Sequence, residues 1–229
     1  GFGTRISEES MTKPKPMILI GDKPILWHLM KIYSYYGINE FIICGGYKFN
    51  QISDYFLSYQ RNLNSFTIDI AKNKIEIHQN HEEKWKVTVV NTGLNTMTGG
   101  RLKRVFQYVK NDNAFCFTYG DGLSDINIEK LIKFHHEHGK LATMSAVYPP
   151  ARFGSIEIDS NNSILSFTEK PLGDGGRING GFFVLSPKVI DYIKNDTTIW
   201  EREPLENLAL DSELKAFKHD GFWQPMDTL

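Results

Sequence analysis

The sequence predicts an α/β domain with a Rossmann-like, doubly wound mixed sheet, and three observations carry that prediction. Apolar runs of strand length alternate along the chain with amphipathic runs of helical period, the order of a sheet covered by helices. Two of the runs, residues 41–44 and 114–119, are apolar without alternation, as in strands buried on both faces. Both end in glycine turns, Gly45-Gly46 and Gly120-Asp121-Gly122. Open α/β sheets hold their ligands beyond the carboxyl ends of the strands.

The elements follow in order. A short apolar run at 17–20 meets the turn Gly21-Asp22-Lys23-Pro24, and Leu26, Leu29, Met30, Tyr33 and Tyr36 then recur at helical spacing up to Gly37. After the strand at 41–44, Asn50 is expected to cap a helix through Ile52, Phe56 and Tyr59. Phe66, Ile68 and Ile70 alternate with polar residues, Lys72-Asn73 turns, and Ile75 and Ile77 alternate again, which predicts an inserted β-hairpin. Next come a strand at 87–90, a helix at 101–109, a strand at 114–119, a helix at 126–138 and a strand at 141–147. Two short strands around Ile156 and Phe167 lead to the apolar run 182–185. Helices at 189–193 and 205–210 precede a final pair of short strands.

Composition narrows the function classes. The 229 residues are read as a single domain, and 26 Lys and Arg against 27 Asp and Glu leave a net charge of −1, so no global basic excess draws the chain to nucleic acid or to an acidic membrane. No apolar run approaches the roughly 18 residues that cross a bilayer. Cys44 and Cys116 sit inside apolar runs, where a free thiol behaves as a small hydrophobe, and a reducing cytoplasm is expected. The chain opens directly on the glycine turn Gly1-Phe2-Gly3-Thr4-Arg5 and stops at Met226-Asp227-Thr228-Leu229. A phosphate-cradling turn leaves the end of a strand, so an N-terminal strand is expected to be missing and the domain, residues 1–229, to be truncated at both ends.

Several short stretches suit a phosphorylated ligand. In the opening turn Gly1 and Gly3 let backbone N–H groups approach a phosphate beside Thr4 and the Arg5 guanidinium, although neither the dinucleotide fingerprint nor the nucleotide P-loop is complete. Prolines on both sides of Lys15 are expected to hold it extended and aim its ammonium in one direction. Asp121 follows a buried strand and stands where a magnesium ion would take one or two carboxylates together with phosphates and water. Asp227 is a candidate second carboxylate. Glu169-Lys170-Pro171 and Asn179-Gly180-Gly181 suit either turns or a sugar phosphate. His135, His136 and His138 precede Gly139 near a helix end, where the dipole favours imidazoles, and are read as solvated. Lys103, Arg104 and Lys110 are likewise read as a solvated helix side, with Arg101 the exception because it abuts Gly99-Gly100.

Taken in order, the glycine turn with Thr-Arg, Pro-Lys-Pro, a strand ending Gly-Asp-Gly, Glu-Lys-Pro and Asn-Gly-Gly resemble the sugar-1-phosphate nucleotidyltransferases over nearly the whole chain. Within that family, Gly3-Thr4-Arg5-Ile6-Ser7-Glu8-Glu9-Ser10, Thr98-Gly99-Gly100-Arg101-Leu102-Lys103-Arg104, Ile178-Asn179-Gly180-Gly181-Phe182-Phe183-Val184 and Phe222-Trp223-Gln224-Pro225-Met226-Asp227-Thr228 resemble the cytidylyltransferase subgroup. That subgroup makes CDP-glucose and pyrophosphate from CTP and glucose 1-phosphate, for the dideoxysugars of bacterial surface polysaccharide.

The resemblance implies roles residue by residue. Gly1, Phe2, Gly3, Thr4 and Arg5 would hold the nucleotide phosphates, with Gly120 beside them, and Arg5 and Lys15 would neutralise charge at the reacting phosphate. Asp121 and Asp227 would ligate magnesium. Glu169, Asn179 and Gly180 would bind the sugar and Lys170 its phosphate, while Thr96, Gly99 and Arg101 would lie along the cytidine. A homo-oligomer is expected. Relatives using other nucleotides carry Gly-Thr-Ala-Gly where this chain has Met97-Thr98-Gly99-Gly100. A transferase using UTP, dTTP or GTP stays open as an alternative, as does a catalytically dead relative serving as a binding or regulatory module. A glycosyltransferase fits less well, since it has no pyrophosphate to release. A sugar phosphate is largely dianionic at neutral pH and needs no general base, so positioning and charge neutralisation are the expected means of catalysis.

Overall fold

The computed structural model describes residues 13–78, 83–149, 155–158, 160, 163–168 and 176–226. Pro14 is extended, but Lys15–Met17 form one 3-10 turn. Lys15 therefore starts a turn instead of standing in extended chain, because the fixed φ of Pro16 suits a 3-10 helix as well as an extended segment. Strands β1 (Leu19–Ile20) and β2 (Lys23–Pro24) pair across the Gly21 turn, and helix α1 (Ile25–Tyr35) follows, with Gly37 just beyond it in the left-handed region.

Strand β3 (Glu40–Gly45) leads into α2 (Phe49–Leu57) and α3 (Tyr59–Leu63). The N-cap of α2 is Lys48, with φ 51°, and Asn50 lies inside the first turn. The chain has to reverse within the few residues after Gly45, and the left-handed step at Lys48 makes that reversal before Asn50 is reached. A hairpin of β4 (Phe66–Asp69) and β5 (Lys74–Ile77) precedes β6 (Lys86–Asn91), which runs parallel to β3 with Gly45 opposite Asn91.

Helix α4 (Thr98–Val105) begins three residues earlier than the apolar period suggests and passes into a 3-10 turn at Phe106–Tyr108. Then come β7 (Phe115–Thr118), β8 (Gly122–Ser124), α5 (Ile128–His138), β9 (Ala142–Val147), a hairpin of β10 (Ser155–Ile158) and β11 (Ile164–Thr168), and β12 (Ile178–Leu185). The helix expected at 189–193 is a 3-10 segment, Pro187–Tyr192, too short to repay the nucleation of an α-helix. Helix α6 (Glu203–Leu210), β13 (Leu214–His219) and β14 (Trp223–Pro225) complete the described chain.

The largest sheet has the order β13-β9-β12-β7, with β13 parallel to β9 and the two other pairs antiparallel. It is mixed and covered on both faces. Phe182 and Val184 of β12 pack with Ile25, Leu29 and Tyr33 of α1 and with Ile128 and Leu131 of α5. Phe183 and Leu185, the alternate residues, pack with Leu102 and Val105 of α4 and Leu205 and Leu208 of α6. The two-residue period of one strand thus feeds two helical layers, which is why 182–185 is apolar without a break. Among the described residues no helix is long and apolar enough to cross a membrane.

Candidate active site

The sheet register gathers one edge. Thr118 at the end of β7 lies opposite Phe182, Ile178 at the start of β12 lies opposite Val147 at the end of β9, and His219 at the end of β13 lies beside Val147. The segments leaving or entering that edge are Tyr119-Gly120-Asp121, Asn179-Gly180-Gly181 and residues 219–226. Two of the three were picked out by the sequence as ligand turns.

Lys15 Nζ lies 3.4 Å from Asp121 Oδ2, with both side chains partly open to solvent. Gly120 makes that approach possible, since a Cβ there would stand 2.8 Å from Cγ of Pro16. The proline of the 3-10 turn is thereby seated on the glycine preceding Asp121, and the ammonium meets the carboxylate. Met226 donates its backbone N–H to the Asp121 carbonyl at 2.6 Å, and Trp223 Nε1 donates to the Gly180 carbonyl at 2.7 Å. β14 pairs with β8 from Trp223 opposite Ser124 to Pro225 opposite Gly122. β14 is therefore pinned beside Asp121.

Asn179 is held at both ends of its amide: Nδ2 donates to the Tyr119 hydroxyl at 3.1 Å, and Oδ1 accepts from the Gly181 N–H at 2.8 Å. Gly181 has φ 77°, and a Cβ there would lie 2.7 Å from Cδ2 of Tyr119. Burial pushes the Tyr119 hydroxyl well above the usual phenol range. It is therefore a neutral hydrogen-bonding group at this edge, and one that the sequence reading passed over although it stands within the Tyr-Gly-Asp-Gly motif. Gly180 is required by internal packing, because a Cβ there would meet Ser145 and Val147 of β9.

The stretch 92–101 forms a second cluster. Arg101 donates to Thr92 Oγ1 and more distantly to the Leu94 carbonyl, and its guanidinium covers Gly46. Arg104 donates to the Thr92 carbonyl and clasps Asp196 through Nε and Nη2, while Lys103 donates to the carbonyls of Ile193 and Lys194. Lys103 and Arg104 are exposed, as the expected solvated helix side requires, and they also cross-link α4 to residues 193–196. Gly99 and Gly100 have no room for a Cβ beside Thr198 and Asp196, and both N–H groups donate to the Thr198 carbonyl. Thr96 is buried in the same loop.

One further feature departs from the sequence reading, and the cysteines agree with it. His135 is buried, and it and His138 share Thr143 Oγ1 at 2.9 and 2.7 Å. The Lys140 N–H donates to His138 Nδ1, so neutral His138 carries its proton on Nε2 and donates to Thr143, whose hydroxyl in turn donates to His135 Nδ1. His135 is structural and not solvated, because α5 lies directly on β9; His138 is half-buried beside it, and His136 is exposed as expected. Cys44 and Cys116 are free, and burial raises their thiols to about 11 and about 12, so neither is a nucleophile at neutral pH. Gly1, Phe2, Gly3, Thr4, Arg5, Glu169, Lys170 and Asp227 lie outside the described residues. Among the described residues no three His, Cys, Asp or Glu side chains converge as a metal cage.

These turns and side chains meet at one edge of a doubly wound sheet, and comparison with known proteins names the class of the domain. The nucleotidyl transferase family model matches residues 1–223. The chain is 58% identical over all 229 residues to the glucose-1-phosphate cytidylyltransferases of Salmonella typhi and Salmonella typhimurium, covering 89% of each. It also superposes on the crystal structure of HddC from Yersinia pseudotuberculosis complexed with GMP-PN, with a TM-score of 0.69 at 24% identity over 99% of this chain and 90% of that one. The chain belongs to the nucleotidyl transferase family, and within it to the glucose-1-phosphate cytidylyltransferases.

Proposed function

We propose that this chain transfers a cytidylyl group from CTP to glucose 1-phosphate, releasing pyrophosphate and giving CDP-glucose for surface-polysaccharide dideoxysugars. The observation that carries the reading is the meeting of Lys15 with Asp121 across the Gly120 turn. It sets one cation and one carboxylate together at the sheet edge where this reading puts the ligand. The sugar phosphate attacks as a dianion, so the barrier lies in bringing it against a triphosphate. Lys15 and Arg5 neutralise the reacting phosphate, and the backbone of Gly1 to Thr4 cradles the β- and γ-phosphates. Asn179, oriented by Tyr119 and the Gly181 N–H, binds the sugar with Glu169 and Gly180, and Lys170 binds its phosphate. Thr96, Gly99 and Arg101 lie along the cytidine.

Asp121 fits a magnesium site: it is a hard oxygen donor, partly solvent-open, and magnesium takes one or two protein carboxylates with the rest supplied by phosphate and water. Asp227, one residue beyond the Met226 whose N–H holds the Asp121 carbonyl, is the second proposed ligand. When bound, the ion supplies further neutralisation of the triphosphate. Two free, half-buried thiols suit a reducing cytoplasm.

The deciding experiment is pyrophosphate release from glucose 1-phosphate with CTP, UTP, dTTP and GTP in turn. Cytosine offers an amino donor where uracil offers a carbonyl, so a site that accepts from the amino group is left with an unpaired polar atom by UTP. CTP should win by at least about a hundredfold in kcat/KM. Equal use of UTP would return the choice to the broader transferase class, and no release with any nucleotide would favour a dead relative.

A further inference from the structure

Glu201 belongs to none of the turns described above, yet its carboxylate touches both clusters of the site. Oε2 accepts from the Thr98 hydroxyl at 2.6 Å, and that hydroxyl in turn accepts from the Trp200 N–H at 2.9 Å. Thr98 is the first residue of α4, and the N–H groups of Gly99 and Gly100 behind it donate to the Thr198 carbonyl. Residues 198–201 therefore clasp the start of α4. Trp200 is fully buried, edge-on to Phe117 and Phe183, and anchors the backbone from which the exposed Glu201 side chain leaves.

On its other side Glu201 meets Tyr119. After burial, the Glu201 carboxylate is the strongest influence keeping the proton on the Tyr119 oxygen, by its charge and by a hydrogen bond from the phenol. The phenol has one hydrogen and a carboxylate only accepts, so that hydrogen is committed to Glu201. The phenol oxygen then turns a lone pair toward Asn179, whose Nδ2 donates to it at 3.1 Å, and Oδ1 is left facing the Gly181 N–H at 2.8 Å. The two ends of an Asn amide are alike in shape and opposite in hydrogen bonding, so a network of this kind is what tells them apart.

We propose that Glu201 is a positioning residue for the transfer: through Tyr119 it sets which way the Asn179 amide faces, and through Thr98 it ties that amide to the start of α4. The proposal rests on the function given above, which puts the sugar at Asn179 and the nucleotide along 96–101. A carboxylate suits this position because it accepts from two hydroxyls at once. A Gln side chain has one acceptor oxygen, and its amide nitrogen would meet either Thr98 or Tyr119 as a donor. Facing a donor, the Tyr119 hydroxyl would turn its own hydrogen toward Asn179, and the Asn179 amide would lose its reason to keep Oδ1 on the Gly181 N–H.

The test is a double-mutant cycle of Glu201→Gln and Tyr119→Phe, the second of which keeps the ring against Phe117 and Phe183. Each single variant should raise KM for glucose 1-phosphate about tenfold and leave kcat within about threefold of wild type, the pattern of weakened substrate binding. The double variant should be no worse than the worse single one, since both break the same network. KM for CTP should rise in Glu201→Gln and not in Tyr119→Phe, because only the first alters the contact with Thr98. In the chain without substrates, the side-chain amide resonances of Asn179 should move in both variants and stay in place in Glu203→Gln, an exposed neighbour. An unchanged KM for glucose 1-phosphate in Glu201→Gln, additive losses in the double variant, or amide resonances that do not move would each overturn the proposal. A wild-type chain that makes no CDP-glucose would overturn the proposed function instead, and the amide resonances would still decide whether Glu201 orients Asn179.

Discussion

Lys15 and Asp121 are 106 residues apart in the chain and 3.4 Å apart in the fold, at the edge where β7, β12 and β13 open. Replacing Lys15 by Ala should lower kcat by roughly a hundredfold, about 3 kcal/mol, while nucleotide binding weakens less, because a fixed cation acts most where charge redistributes in the transition state. Steady-state kinetics with a parallel nucleotide-binding titration separates the two effects. A variant within a few-fold of wild type in kcat would remove Lys15 from the reaction.

Asp121→Asn keeps the size of the side chain and loses its charge. The magnesium concentration giving half-maximal rate should rise about tenfold or more, and Asp227→Asn should act in the same direction. Magnesium titrations of both variants check this. An unchanged magnesium requirement in either would exclude that carboxylate as a ligand.

Gly181→Ala tests the link between strand packing and the sugar site. The left-handed φ and the Cβ approach to the Tyr119 ring both oppose the methyl group, and the loss of stability should be about 2 kcal/mol. Because Tyr119 orients Asn179, KM for glucose 1-phosphate should rise more than KM for CTP. Thermal melting and kinetics together decide the point, and a Tm equal to wild type would show that the turn tolerates a side chain.

His135 gives the stability of the fold an acid limit. Burial, followed by the neighbouring His138 and His136, lowers its imidazole from the usual 6.5 to about 4. The unfolded chain takes up a proton near pH 6.5 and the folded chain only near 4, so this stability is complete above about 6.5 and is lost as pH falls toward 4. The loss should amount to about 2 to 3 kcal/mol. His135→Gln should flatten the fall of Tm between pH 6.5 and 4, whatever it does to Tm at pH 7. A slope as steep as wild type would assign the acid sensitivity to other groups.

By itself, the sequence determined the alternation of strands and helices, the hairpin at 66–77, the apolar strand at 182–185 and the glycine turns at Gly120-Asp121 and Asn179-Gly180. Each of these is local: a period, a breaker or an uninterrupted apolar run shows within a dozen residues. Tertiary structure decided what those residues touch. Gly120 is needed because Pro16 rests on it, Gly99 and Gly100 because Thr198 and Asp196 press on α4, and His135 is neutral because α5 lies on β9 over Thr143. Lys103 and Arg104 look like a solvated stripe in a helical projection, yet they bind carbonyls and a carboxylate some 90 residues away. A long side chain bonds whatever group the crossover connections bring within its reach, and that distance is a property of the assembled sheet, which no window of sequence contains.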